Sequence, residues 1–156
     1  MVDTSVDVYV GIDPGVNTGF AVWYVKGKSI NPYTYRIHKA MEMVITICSD
    51  PKIIIHVRFE DARLRKWFGK ANASQLQGAG SIKRDSTIWH DFLTDISKSH
   101  PNLTFEAVAP KDNKTKLSAE QFEVYTGYKG KTSEHARDAA MLVYGYGLNQ
   151  VKQLTL

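Results

Sequence analysis

The stretch Val8-Tyr-Val-Gly-Ile-Asp-Pro-Gly-Val-Asn-Thr-Gly19 decides how the rest of the chain is organised. Apolar residues alternate at period two from Val6 to Ile12, which predicts a central or half-buried strand. Asp13 ends this strand, and Pro14-Gly15 then predicts a tight turn, because proline lacks a ladder donor and glycine accepts unusual backbone angles. A second apolar run at 20–25 completes a hairpin. The Asp13 carboxylate is thus held beside a turn that a phosphate could approach closely, although Asp-Pro-Gly is also ordinary turn chemistry.

Length and composition fit one folded domain that spans residues 1–156, with residues 1–5 as a flexible tail. Of the 156 residues, 43% are hydrophobic, and a chain of this length can bury a sizeable core. No apolar run approaches the ~20 residues that a membrane span needs, and the N-terminus lacks the pattern of a signal peptide. Cys48 is the single cysteine, so an internal disulfide is excluded and a cytoplasmic location is expected. The net charge of +4 is compatible with nucleic acid but too small to indicate it alone.

The rest of the chain alternates between the helix period and the strand period. Strands are predicted at 33–37, 53–59 and 103–108, and helices at 41–48, 72–98, 120–125 and about 132–146. Gly78 and Gly80 each cost about 1 kcal/mol relative to Ala inside a helix, which predicts a break or a close contact in the long second helix. Three strands followed by alternating helices and strands predict an α/β fold whose mixed sheet is antiparallel at first and parallel afterwards.

Asp13 and Glu60 close two of the predicted strands, and strand ends are where sites form in an open α/β sheet. His135 and Asp138 are three residues apart in the last helix, so they share one helical face. Three converging carboxylates repel one another, and the usual reason to tolerate this is a divalent cation such as Mg²⁺ or Mn²⁺. Taken alone, the His135 and Asp138 pair is better explained as a locally bonded histidine and a solvated acid. Asp61 directly follows Glu60, so which of these two acids enters the site is open.

The chain resembles the RuvC-type Holliday-junction resolvases of the RNase H-like superfamily in three blocks: Gly11-Ile-Asp-Pro-Gly15 with Thr18-Gly19, the acid after the fourth strand, and His135-x-x-Asp138-Ala-Ala. The blocks stand in the family's order and cover nearly the whole chain. The resemblance implies an α/β, RNase H-like fold with a mixed five-stranded sheet flanked by helices. It also implies two metal ions, Mg²⁺ or in its place Mn²⁺, and the catalytic residues that bind them are Asp13, Glu60, His135 and Asp138. Glu134 is the alternative ligand if the helix is rotated.

The same resemblance implies an endonuclease that hydrolyses phosphodiesters in Holliday junctions and other branched DNA, acting as a homodimer without a membrane partner. Two-fold symmetry suits this substrate, because two strands of like polarity are cut. Cationic segments before and after the catalytic acids predict phosphate contacts, and Trp67 or Phe68 predicts stacking on an unpaired base. The residues assigned to DNA binding are Arg63, Arg65, Lys66, Trp67, Phe68, Lys70, Lys111, Lys114, Lys116 and Lys131. A core or dimer contact explains the two aromatic residues equally well.

Other functions share parts of this pattern. A ribonuclease H or a transposase-like nuclease has the same metal site and differs only in its substrate loops. A phosphotransferase of the actin and hexokinase superfamily also begins with Asp-x-Gly-x-x-x-Gly, but it needs two such domains and lacks the terminal His-x-x-Asp. A junction-binding module without catalysis is disfavoured, because acids stand at all three expected positions.

Overall fold

Five strands and four α-helices follow one another in the part of the chain that the computed structural model describes, residues 5–65, 73–110 and 116–148. Their order agrees with the sequence-based prediction. None of these helices is long and apolar enough to cross a membrane. The elements are β1 (Val8–Asp13), β2 (Asn17–Tyr24), β3 (Ser29–Arg36), α1 (Ile37–Cys48), β4 (Ile55–Glu60), a 3-10 helix (Ala62–Leu64), α2 (Ala73–Ser99), β5 (Leu103–Val108), α3 (Ala119–Thr126) and α4 (Glu134–Met141).

The strands form one sheet in the order β3-β2-β1-β4-β5. β2 is antiparallel to both β1 and β3, whereas β4 is parallel to both β1 and β5. The predicted α/β class and mixed five-stranded sheet are therefore confirmed, and the arrangement is RNase H-like. Because β1 and β4 are parallel neighbours, their carboxyl ends lie side by side at one edge of the sheet.

Two apolar clusters cover the two faces of this sheet. Helices α1 and α2 pack on one face, where Val44, Trp89 and Phe59 are buried. Helices α3 and α4 pack on the other face, where Phe122 and Ala139 are buried. Strand β4 alternates between the faces, since every second residue from its first position is fully buried in the α1–α2 cluster. Its other residues, which end with Glu60, are turned toward the α4 side.

Helix α4 lies in backbone contact with the β1–β2 hairpin, and two glycines make this approach possible. A Cβ atom added at Gly11 would overlap the carbonyl oxygen of Ala139, and one added at Gly19 would overlap the carbonyl oxygen of His135. Three alanines of α4 are buried against the same strands, namely Ala136, Ala139 and Ala140. This close contact fixes the backbone of α4, and the Cβ atoms that it carries, near the end of β1.

Replacement of Gly19 by Ala is expected to destabilise the fold, because the added methyl group meets backbone that can escape only if α4 moves away. Overpacking of this kind usually costs about 1–3 kcal/mol, measurable as a lower urea midpoint. Gly78→Ala is the matched control, since a Cβ there meets no atom of residues 5–65, 73–110 and 116–148 within 4 Å and alanine stabilises a helix by up to about 1 kcal/mol relative to glycine. Equal stability of the Gly19→Ala variant and the wild type would contradict the close contact.

Two sequence-based expectations about helices are wrong. Helix α4 ends at Met141 rather than near residue 146, because Leu142 and Val143 donate their N–H groups to carbonyls only three residues back and the segment then turns at glycines with positive φ. Helix α2 is continuous over Ala73–Ser99, and a Cβ at Gly78 or Gly80 would meet no atom of the described residues within 4 Å. Within the described part of the chain, these glycines therefore mark neither a break nor a close helix contact.

Strand β3 forms one edge of the sheet and begins earlier than the sequence suggests. It includes Pro32, which lies opposite Ala21 of β2, although the sequence-based strand begins only after this proline. A proline that lacks a ladder donor is tolerated in an edge strand, where one side needs no partner.

Candidate active site

The structure places the four predicted catalytic residues at the carboxyl edge of the sheet. Asp13 is the last residue of β1 and Glu60 is the last residue of β4. Ser133 caps α4, because its hydroxyl accepts the Ala136 N–H at 3.0 Å, and the helix then presents His135 and Asp138. The Nδ1 atom of His135 lies 3.1 Å from Oδ2 of Asp13. Residues from three separate elements are thereby brought to one place.

Burial weakens the acidity of all three carboxyl groups, and the charges of neighbouring acids add to this effect in Glu60 and Asp138. Burial, followed by the charges of Asp13 and Asp138, raises the pKa of Glu60 to about 7. Burial and the charge of Asp13 raise the pKa of Asp138 to about 6. Burial also raises the pKa of Asp13, although the hydrogen bond from His135 opposes this change. The three acids therefore lie within electrostatic reach of one another, in a place that favours an added positive charge.

The donor set fits a hard divalent cation in chemistry and charge. Carboxylate oxygens are the preferred ligands of Mg²⁺ and Mn²⁺, and a neutral imidazole is an accepted addition for Mn²⁺. With the side chains as they stand, no group of three or more His, Cys, Asp or Glu among the described residues is arranged to hold a metal ion. The residues that would hold one are Asp13, Glu60, His135 and Asp138.

Asp61 and Glu60, between which the sequence does not decide, have different surroundings in the structure. Asp61 is only 1% exposed, and its carboxylate accepts bonds from the backbone N–H of Arg63 at 3.0 Å and from the Arg63 guanidinium at 2.7 Å. It caps the 3-10 helix, whose Ala62 N–H bonds to Ser86 of α2 at 3.2 Å. Asp61 thus has a structural role, and Arg63 is held by it.

Replacement of Asp61 by Asn is expected to cost about 1–3 kcal/mol at neutral pH, because a buried charged hydrogen bond is lost. The Arg63 guanidinium holds the pKa of Asp61 below its usual value. The ionised Asp61 therefore stabilises the fold fully at pH values above the pKa that this carboxyl has in the unfolded chain. This stabilisation is lost as the pH falls through the lower pKa of the folded state. Urea denaturation should show a difference from the wild type that narrows at about pH 3. Lost catalysis with unchanged stability would instead place Asp61 in the active site.

Two cations face the carboxylates. Lys116 Nζ lies 3.2 Å from Glu134 Oε1, so the alternative ligand Glu134 is paired at the protein surface. The charges of Arg65 and Lys116 act on Glu60 and lower its pKa against the larger effects that raise it. Lys131 is exposed in the segment that precedes α4. The remaining residues predicted to bind DNA lie outside the described part of the chain: Lys66, Trp67, Phe68, Lys70, Lys111 and Lys114.

Arg58 is a residue of this region for which the sequence alone offers no role. Its side chain is 15% exposed, and its Nε donates to the carbonyl of Leu142 at 2.8 Å. Its guanidinium also pairs with Glu106 and lies 4.3 Å from the centre of the Tyr146 ring. Arg58 therefore joins β4, which carries Glu60, to the segment that follows α4. The only sequence signal is a polar or charged residue at every second position of an otherwise apolar strand.

A cavity of about 270 Å³ adjoins the acids and has Glu60 and Asp138 in its wall. Its other lining residues come from β4, from the end of the 3-10 helix, from β5 and the residue after it, from the segment before α3, and from the end of α4 and beyond. No protein-family model and no curated protein matches this sequence.

Proposed function

We propose that this protein is a metal-dependent endonuclease of the RuvC type, which cuts Holliday junctions and related branched DNA as a homodimer. One observation carries the proposal: Asp13, Glu60 and Asp138 come from β1, β4 and α4 and lie close enough that the charge of Asp13 raises the pKa of both other acids and the charge of Asp138 raises that of Glu60. A fold that collects repelling acids at the strand ends gains little stability from them, and phosphodiester hydrolysis with divalent ions gives them a use.

The residues of the chain have distinct tasks in this reaction. Divalent ions bound by the four residues would supply positive charge and activate water for in-line displacement at phosphorus. With a pKa of about 7, Glu60 is partly protonated near neutral pH, and it has to lose this proton to bind a metal ion. Asp13 accepts the Nδ1–H of His135, so the imidazole is oriented and Nε2 is left as its acceptor nitrogen. Asp138 adds a carboxylate from α4.

Charge placement supports DNA as the substrate. Arg65 and Lys116 line the cavity beside the acids, where they can contact the phosphates next to the one that is cut. Two copies related by a two-fold axis would present two such sites to the two like strands of a junction. The lone, buried Cys48 agrees with the proposed cytoplasmic location.

The test offers the protein a labelled four-way junction, a Y-fork, a linear duplex and an RNA/DNA hybrid, each with Mg²⁺, with Mn²⁺ or with EDTA. The expected result is symmetrical cutting of the junction with either metal, slower cutting of the fork, and no reaction in EDTA. Preferential cutting of the hybrid would indicate a ribonuclease H instead. Binding of the junction without any metal-dependent cutting would leave only a binding module, and equilibrium sedimentation tests the dimer separately.

A further inference from the structure

The cavity beside the acids is lined by more than charged groups. Glu60 and Asp138 share its wall with the apolar side chains of Val108, Met141 and Leu142 and with Arg58 and Tyr146. A purely ionic site would have no need of these apolar and aromatic groups.

This mixed lining has the properties of a site for a planar, partly polar group. Its volume of about 270 Å³ lies below the roughly 300–1,000 Å³ of pockets that take drug-sized ligands, which suits a group as small as one nucleoside. Arg58 uses Nε for Leu142 and Nη1 for Glu106. Among the contacts of the described residues, its Nη2 hydrogens remain for an acceptor on a ligand.

We propose that this cavity holds the nucleoside next to the phosphate that is cut, with its base turned out of the stack. The inference rests on the proposed nuclease function and adds to it a binding pocket for one base. Arg65 and Lys116 are exposed and line the same cavity, where they would contact the phosphates on either side of that nucleoside. Unstacking costs least at a branch point, where bases are already poorly stacked, so the pocket would favour branched DNA over linear duplex.

The first experiment measures binding without metal and without cleavage. Deoxynucleoside 3′,5′-bisphosphates carry one base between two phosphates, and they are titrated in EDTA while NMR follows the methyl groups of Met141, Leu142 and Val108. Saturable shifts are expected for the wild type and for Ala107→Trp. Ala109→Trp should bind at least about tenfold more weakly, since stacking contacts of this size are lost when the indole fills the pocket.

Ala107 and Ala109 form a matched pair of positions. Both are exposed, and of the two only Ala109 lines the cavity. Deoxyribose 3′,5′-bisphosphate, which has the phosphates but no base, should leave the methyl resonances unchanged. Equal shifts with the abasic compound, or equal binding by the two Trp variants, would overturn the proposal, because only the phosphates would then be recognised.

The second experiment uses junctions with one abasic nucleotide at successive positions around the cut. The wild type should lose at least about tenfold in cleavage rate at one flanking position, and Ala109→Trp should lose nothing further there. An equal loss in both proteins would overturn the pocket and leave the nuclease standing. If no branched DNA is cut at all, the nuclease function fails, and the NMR titration still decides whether the cavity binds a nucleoside.

Discussion

Replacement of Asp13 by Asn is expected to lower metal-dependent cleavage by roughly 10³-fold or more while junction binding stays intact or becomes tighter. The amide removes one anionic ligand but keeps the shape of the side chain. It also removes a negative charge that opposes the approach of a phosphate. Single-turnover cleavage of a labelled junction measures the first effect, and a mobility shift in EDTA measures the second.

Asp95→Asn is the control for this substitution. Asp95 is on α2, its side chain is 80% exposed, and it is not among the charges that shift the pKa of Asp13, Glu60 or Asp138. It should cut and bind as the wild type does. Full cleavage by Asp13→Asn would remove the basis for a metal site at the end of β1. Loss of binding together with cleavage would show that the variant has lost its fold or its DNA surface.

Glu60→Gln is expected to abolish cleavage and to make the metal-free protein more stable. Burial and the neighbouring charges raise the pKa of Glu60 to about 7 from the usual 4.5, so ionised Glu60 opposes folding. Each pKa unit corresponds to about 1.4 kcal/mol, and solvent around the partly exposed carboxyl reduces the effect to the order of 1 kcal/mol at about pH 8. Urea denaturation in EDTA measures it.

The sign of this effect depends on pH. Between the unfolded and folded pKa values the unfolded chain releases the proton first, so the stability of the wild type falls as pH rises. The advantage of Glu60→Gln should therefore be largest at about pH 8 and vanish at about pH 4. Glu42→Gln is the control, since Glu42 is 64% exposed on α1. A Glu60→Gln variant that is less stable than the wild type at every pH would contradict the repulsion among the acids.

The strands and the acids at their ends are predictable from the sequence because the cause is local. Alternate residues such as Val10 and Val57 are fully buried. Burial on one face of a strand requires an apolar residue at every second position, and this pattern is visible in the sequence. Asp13 and Glu60 then fall together because parallel neighbours end at the same edge of the sheet. The capping serine of α4 is likewise a local signal, since its hydroxyl bonds three residues ahead.

Other features depend on contacts that no local pattern contains. Arg58 finds its partners 48 and 84 residues away, in Glu106 and Leu142. Lys116 interacts electrostatically with acids of α4, β1 and β4. The end of α4 is set by a turn in which Gly145 has a φ of 81°. The helical spacing of apolar residues continues through this turn, so the sequence pattern does not show where the helix ends. Glycines in α2 suggest a contact by composition alone, yet none of the residues that the structure describes packs against Gly78 or Gly80.

Pro32 has a consequence for how copies of this chain can associate. It stands inside β3, at one edge of the sheet, where a free strand edge ordinarily invites a second chain to add its own strand. Without an N–H group, Pro32 interrupts the row of donors that such an added strand would need. Pro32 thereby hinders the addition of strands from one copy after another at this edge, which is the first step toward fibrous aggregation. An assembly of copies across β3 would have to use side-chain contacts instead of backbone hydrogen bonds.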